Sequence, residues 1–116
     1  MASVTDLNLA DLEGRSFILG RQGHILITSS AASRQHAEIV IRKGRIYLRD
    51  LGSKNGLYLK KGATRVRFRA GSVSLLTRIC IGDDVYMIQD LLAIAHQFVR
   101  IDDNTTLVPR VRKAAS

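Results

Sequence analysis

Residues 29–41 read SSAASRQHAEIVI, and the segment changes character halfway. Small residues without a pattern give way to Ser33, Arg34 and His36, which sit at the mouth of an alternating strand-like run, Ala37 to Ile41. A serine near a histidine could be a nucleophile with its base. A serine beside an arginine could be part of a phosphate cradle, and both could belong to an ordinary polar loop. Two more loops carry residue types that strands avoid: Gly20-Arg21 directly after FIL, and Asp50-Leu51-Gly52-Ser53-Lys54-Asn55-Gly56.

The chemistry of the three loops leans toward an anion. Gly52 and Gly56 permit positive φ and sharp turns, and successive backbone N–H groups in such turns form anion-binding concavities. An arginine offers a planar fork matched to phosphate oxygens. Ser33 brings a hydroxyl donor, Lys54 a compact positive charge, and Asn55 an amide that both donates and accepts. No carboxylate pair, cysteine–histidine cluster or metal-ligand spacing competes with this set. A hydrolase built on Ser33, His36 and Asp50 would need an oriented relay and an oxyanion hole, and the chain has no G-x-S-x-G elbow.

Elements able to position such loops recur at close spacing. SFIL ends at Gly20, HILI runs into the small-residue loop, and AEIVI turns at Arg42-Lys43-Gly44 into RIYLRDL. These last two read as a hairpin. LYLK, TRVRFRA, SVSLL, RICIG and DVYMIQ follow, with no helical period before residue 90. Regular strands with turn signals between them predict an antiparallel sandwich or barrel. In residues 90–99 the period changes: Leu91, Ile94, Ala95 and Phe98 form the stripe of an amphipathic helix opened by Asp90. His96 falls off that stripe and reads as solvated. The remainder, DDNTTLVPRVRKAAS, has no core pattern and reads as a mobile tail.

The 116 residues suit one domain, with 46% hydrophobic residues and few aromatics predicting an aliphatic core. A net charge of +8 points to an acidic partner but does not choose among nucleic acid, membrane surface and phosphoprotein. Cys80, the single cysteine, reads as a small apolar strand residue. The N-terminus lacks the pattern of a secretory signal, and no apolar run approaches a membrane span. The expectation is a soluble cytoplasmic domain.

Gly20-Arg21, then Ser33-Arg34-x-His36, then DLGSKNG at 50–56 together resemble the forkhead-associated (FHA) domain, a phosphothreonine-binding module. The likeness runs from about Ser16 to Gln89 and includes RICIGDDVYMI, which is similar to the family's closing strands. It implies an FHA-like antiparallel β-sandwich that binds from loops at one end without catalysis; with the 90–99 periodicity the expected fold is all-β with a short C-terminal helix and tail, and no cofactor or metal is expected. The FHA domain is expected over residues 1–89, its first strand within Asp6 to Ala10, and the helix and basic tail over 90–116. By the family's pattern Arg21 and Ser33 contact the phosphate, Asn55 holds the peptide backbone, and Lys54 contributes to the phosphate site; Arg34 is included with them. Gly20, His36, Gly52, Ser53 and Gly56 structure the loops. His36 is implied to brace them from inside, and Gly56 to shape the turn that recognises the threonine methyl. The implied partner is a threonine-phosphorylated protein, a substrate of a Ser/Thr kinase; self-association stays open, and no membrane partner is expected.

This chain departs from the pattern in two places. Lys54 stands where a small hydroxyl residue is frequent, and Leu57 to Gly62 lack the asparagine that often follows the NG turn. Two readings compete with phosphopeptide binding. One is a phospho-independent scaffold docking through a sandwich face or the 90–99 helix. The other is nucleic-acid binding through Arg65, Arg67 and Arg69 on one strand face, with Val66 and Phe68 on the other; scarce exposed aromatics weigh against it. Thr105, in the acidic-flanked threonine pair of DDNTTLVPR and with Val108 three residues after it, has the form of a ligand for the domain's own loops or a neighbour's.

Overall fold

The computed structural model describes residues 8–105. A 3-10 turn over Leu9–Leu12 precedes strands β1 (Ser16–Gly20), β2 (Ile25–Leu26), β3 (Ala37–Arg42), β4 (Arg45–Asp50), β5 (Tyr58–Lys61), β6 (Thr64–Arg67), β7 (Ala70–Val73), β8 (Arg78–Ile81) and β9 (Asp84–Met87). Helix α1 (Ile88–Thr105) follows. The strands form two sheets, ordered β2-β1-β3-β4-β7 and β6-β5-β8-β9. All pairings are antiparallel except β1 with β2. This is the expected β-sandwich with a C-terminal helix.

Strict alternation in β3 and β4 puts Ile39, Ile41, Ile46 and Leu48 on one buried face, where they meet Phe17 and Leu19 of β1. Ile79 and Ile81 of β8 and half-buried Leu59 of β5 close the core from the second sheet. It is an aliphatic core, and each fully buried side chain of this size contributes about 1.5–3 kcal/mol. Cys80 is buried within β8. No helix among the described residues is long and apolar enough to cross a membrane.

The β3–β4 hairpin closes with a two-residue loop in which Lys43 (φ 53°) and Gly44 (φ 71°) both lie in the left-handed region. Two positive φ values match the right-handed twist of the flanking strands. Glu13 caps this loop: its carboxylate accepts the N–H groups of both Lys43 and Gly44. Those bonds, more than any other cause, hold the Glu13 carboxyl below its ordinary range. A group whose pKa is lower folded than unfolded stabilises above its ordinary titration and loses that contribution as pH falls through the folded value. In acid, therefore, the wild type should lose stability more steeply than Glu13→Gln. Urea midpoints measured across the acid range check this; parallel curves would show that the cap contributes nothing.

Three expectations about the ends and one strand are corrected. The described part of Asp6 to Ala10 forms no strand: Asn8 Oδ1 accepts the Ala10 N–H at 3.0 Å, capping the 3-10 turn that drives Leu12 into the core. Asp6 itself lies outside the described residues. Helix α1 begins at Ile88 and continues to Thr105, past the expected end at Val99. Its buried side is Ile88, Leu91, Leu92, Ala95, His96 and Val99, while Ile94 is 51% exposed. His96 is therefore not solvated; its Nε2 lies 2.8 Å from Asp11 Oδ2, tying α1 to the 3-10 turn. Thr105 is the last residue of α1 instead of part of a tail, and Thr106 with the tail cations lies outside the described residues.

The third correction concerns TRVRFRA. Strand β6 stops at Arg67, every residue in it is exposed, and Val66 is half-exposed at its sheet edge. Phe68 leaves the strand to pack against Gly71, and Arg69 lies beyond the strand's end. Only Arg65 and Arg67 share a strand face.

Candidate functional site

Strand β1 ends at Gly20, and the chain there passes directly against the loop before β3. A Cβ on Gly20 would stand 2.2 Å from the Arg34 carbonyl oxygen, so no side chain fits. That approach lets the Arg21 N–H donate to the Ser33 carbonyl (3.1 Å) and the Gln22 N–H to the Arg34 carbonyl (3.0 Å). Exposed Arg21 then folds over the loop, its Nε donating to the Ala32 carbonyl at 2.7 Å. Nε is thus fixed, and the two terminal nitrogens make no hydrogen bond among the described residues.

The 50–56 loop docks on the same serine. The Lys54 N–H donates to Ser33 Oγ at 3.0 Å, which leaves the hydroxyl proton free to donate. Asn55 Nδ2 donates to the Ala31 carbonyl at 2.9 Å. Within the loop, Ser53 Oγ donates to Asp50 Oδ1 at 2.6 Å and accepts the Gly56 N–H at 3.1 Å. Gly52 (φ 75°) and Gly56 (φ 87°) supply the left-handed turns.

His36 is fully buried between these loops. Its Nδ1 accepts the Ser33 N–H at 2.9 Å and its Nε2 lies 2.8 Å from the Gly56 carbonyl oxygen. An amide only donates and a carbonyl only accepts, so the ring is the neutral tautomer with its proton on Nε2. Both ring nitrogens are thereby committed to backbone. Ser33, His36 and Asp50 form no relay, because Asp50 is bonded to Ser53 and the histidine meets the serine's amide, not its hydroxyl.

Arg21, Ser33, Lys54 and Asn55 thus meet at one end of the sandwich, three of them exposed and Ser33 half-buried. Arg34 is exposed beside them, and its side chain makes no hydrogen bond or ion pair among the described residues. A family model described as FHA domain matches residues 14–75, a segment that contains all three loops. The chain belongs to the FHA family. The match ends before β8 and β9, so the likeness read as far as Gln89 extends past it.

Among solved structures, the FHA domain of the CT664 protein from Chlamydia trachomatis is 26% identical, with a TM-score of 0.57 over 65% of this chain and 75% of that one. The FHA-1 domain of Rv1747 from Mycobacterium tuberculosis is 28% identical, with a TM-score of 0.51 over 60% and 69%. Mycobacterium tuberculosis EmbR, solved in complex with a low-affinity phosphopeptide, is 28% identical, with a TM-score of 0.53 over 62% of this chain and 19% of that one. No curated protein matches the chain.

One part of this FHA domain's loop end escaped the sequence reading. Beside Asn55 lies an open groove of about 540 Å³, lined by Ser29, Ser30, Ala31, Tyr58, Arg65 and the β8–β9 turn at Gly82-Asp83-Asp84. Ser29, Ser30 and Ala31 of the patternless SSAAS segment form part of its wall. Its Ala31 and Ala32 carbonyls orient Asn55 and Arg21. Its small side chains admit the turn so closely that a Cβ on Gly82 would stand 2.5 Å from the Ala31 Cβ. Arg65 secures that turn, donating to the Gly82 carbonyl at 2.7 Å.

Proposed function

We propose that this FHA domain is a phosphothreonine-dependent protein-binding module in Ser/Thr kinase signalling and that it performs no catalysis. What supports this reading is the convergence of Arg21, the Ser33 hydroxyl, Lys54 and Asn55 at one exposed loop end. A phosphothreonine dianion there would meet the Arg21 fork, the Ser33 hydroxyl proton and the Lys54 ammonium, with Arg34 adding charge at the rim. Asn55 would hold the peptide backbone through the amide atoms its bond to Ala31 leaves over. Gly56, turned by its positive φ and held from below by His36, would shape the contact with the threonine methyl. The bound phosphopeptide in the EmbR complex supports phosphopeptide binding as the task of these loops. The partner on this reading is a threonine-phosphorylated protein.

Calorimetric titration with one peptide in threonine, phosphothreonine and phosphoserine forms tests the proposal. The phosphothreonine form should bind most tightly and the unmodified form not at all. Equal affinities for the two phosphopeptides would remove the threonine dependence, and equal affinity for the unmodified peptide would remove phosphate recognition altogether.

A further inference from the structure

Among the described residues, the charged strand positions on the outer face of the β6-β5-β8-β9 sheet are all basic. Residues paired directly across strands share a face, so the register places Arg65 beside Lys60 and Arg67 beside Tyr58. Tyr58 pairs with Cys80 and Leu59 with Ile79, and extending that register by one brings Lys60 level with Arg78. Val85 and Met87 of β9 complete the face. Leu59, Ile79 and Ile81 point the other way, into the core.

Arg65, Lys60 and Arg78 thus form a cross-strand row of basic residues with Cβ atoms about 5 Å apart, and like charges so placed disfavour folding by repulsion. Spacings inside the Debye length of about 8 Å add the potentials together. The other sheet treats its outer face differently: Arg49 pairs with Glu38 at 2.7 Å. Among the described residues the ion pairs are that one and His96–Asp11, so neither Lys60 nor Arg78 has a carboxylate partner.

The row is continuous with the loop end. The groove beside Asn55 is lined by Tyr58 and Arg65 on one side and by Asp83 and Asp84 of the β8–β9 turn on the other, and the row leads away from those carboxylates: Lys60 lies two residues along β5 from Tyr58, about 7 Å. We infer that this face is a second, electrostatic recognition surface for an acidic segment of the phosphorylated partner, flanking the residue held at the loops. An extended segment brings alternate side chains to one side about 6.6 Å apart, a spacing that lets successive carboxylates meet successive cations. The inference rests on the proposed phosphothreonine reading. A peptide fits this face better than nucleic acid does. Tyr58, its one aromatic ring among the described residues, already has Arg65 (4.9 Å) and Arg67 (5.7 Å) over it, and these guanidiniums compete with a base for the ring.

The test uses the full chain and three phosphothreonine peptides: a neutral-flank peptide, and two with glutamates at alternate positions before or after the phosphothreonine. One acidic peptide should bind roughly three- to tenfold tighter than the neutral one at physiological salt, the sum of a few exposed pairs, and the gain should shrink as salt rises. The double variant K60Q/R78Q should lose that gain and keep the neutral-flank affinity, while K60R/R78K should keep both. Arg65 is left alone because it holds the β8–β9 turn. No gain from either acidic flank, or a gain that survives K60Q/R78Q, overturns the inference while neutral-flank binding leaves the phosphothreonine reading standing. If no phosphorylated peptide binds, that reading fails and this one with it. A random duplex oligonucleotide that binds more tightly than the acidic phosphopeptide, and is lost in K60Q/R78Q, assigns the face to nucleic acid and overturns the inference as well.

Discussion

Arg21→Ala is expected to weaken phosphothreonine-peptide binding by about 2–4 kcal/mol, because a charge-assisted fork to a dianion is removed and the remaining donors face an under-neutralised phosphate. The melting temperature should barely move. Arg21 is exposed, and its side chain gives the fold one bond, from Nε to the Ala32 carbonyl. Arg21→Lys separates charge from geometry: the ammonium remains but cannot both hold the Ala32 carbonyl and present a fork. Its affinity should fall between those of the parent and the alanine variant. Calorimetry on the three proteins reads this directly. Parent-like binding by Arg21→Ala would mean that the phosphate site lies elsewhere.

His36→Ala should instead lower stability and affinity together. The ring is fully buried and links the Ser33 N–H to the Gly56 carbonyl, so its removal orphans the buried carbonyl at about 1–3 kcal/mol and the half-buried N–H at less. The same two bonds fix the loops that carry Ser33 on one side and Lys54 and Asn55 on the other. Affinity should therefore fall although both ring nitrogens are committed to backbone. Thermal melts paired with titrations decide the matter. Weak binding with unchanged melting would place His36 on the peptide itself.

Much of this molecule was determined by its sequence, and the reason is locality. The β3–β4 hairpin was legible because alternation in AEIVI and RIYLRD marks one buried face and Lys43-Gly44 supplies the turn. Gly20-Arg21, Ser33-Arg34-x-His36 and DLGSKNG were visible for a related reason: close approach and left-handed turns restrict the residue types that can stand there.

What only the tertiary structure decided depends on surfaces that no local pattern contains. Two overlapping stripes run along α1, sharing Leu91 and Ala95. Which one is buried depends on where the sandwich leaves apolar surface uncovered, and the 3-10 turn with Asp11 drew His96 inward while leaving Ile94 outside. SSAAS had no period to read because its work is done by backbone carbonyls and by the absence of bulk, which matter only once Gly82 is folded against it. The alternation of TRVRFRA suggested a continuous strand, yet Phe68 turns away to pack against Gly71 and Val66 is left at an edge. The cation row across Arg65, Lys60 and Arg78 belongs to three strands, and only their pairing register makes it a surface.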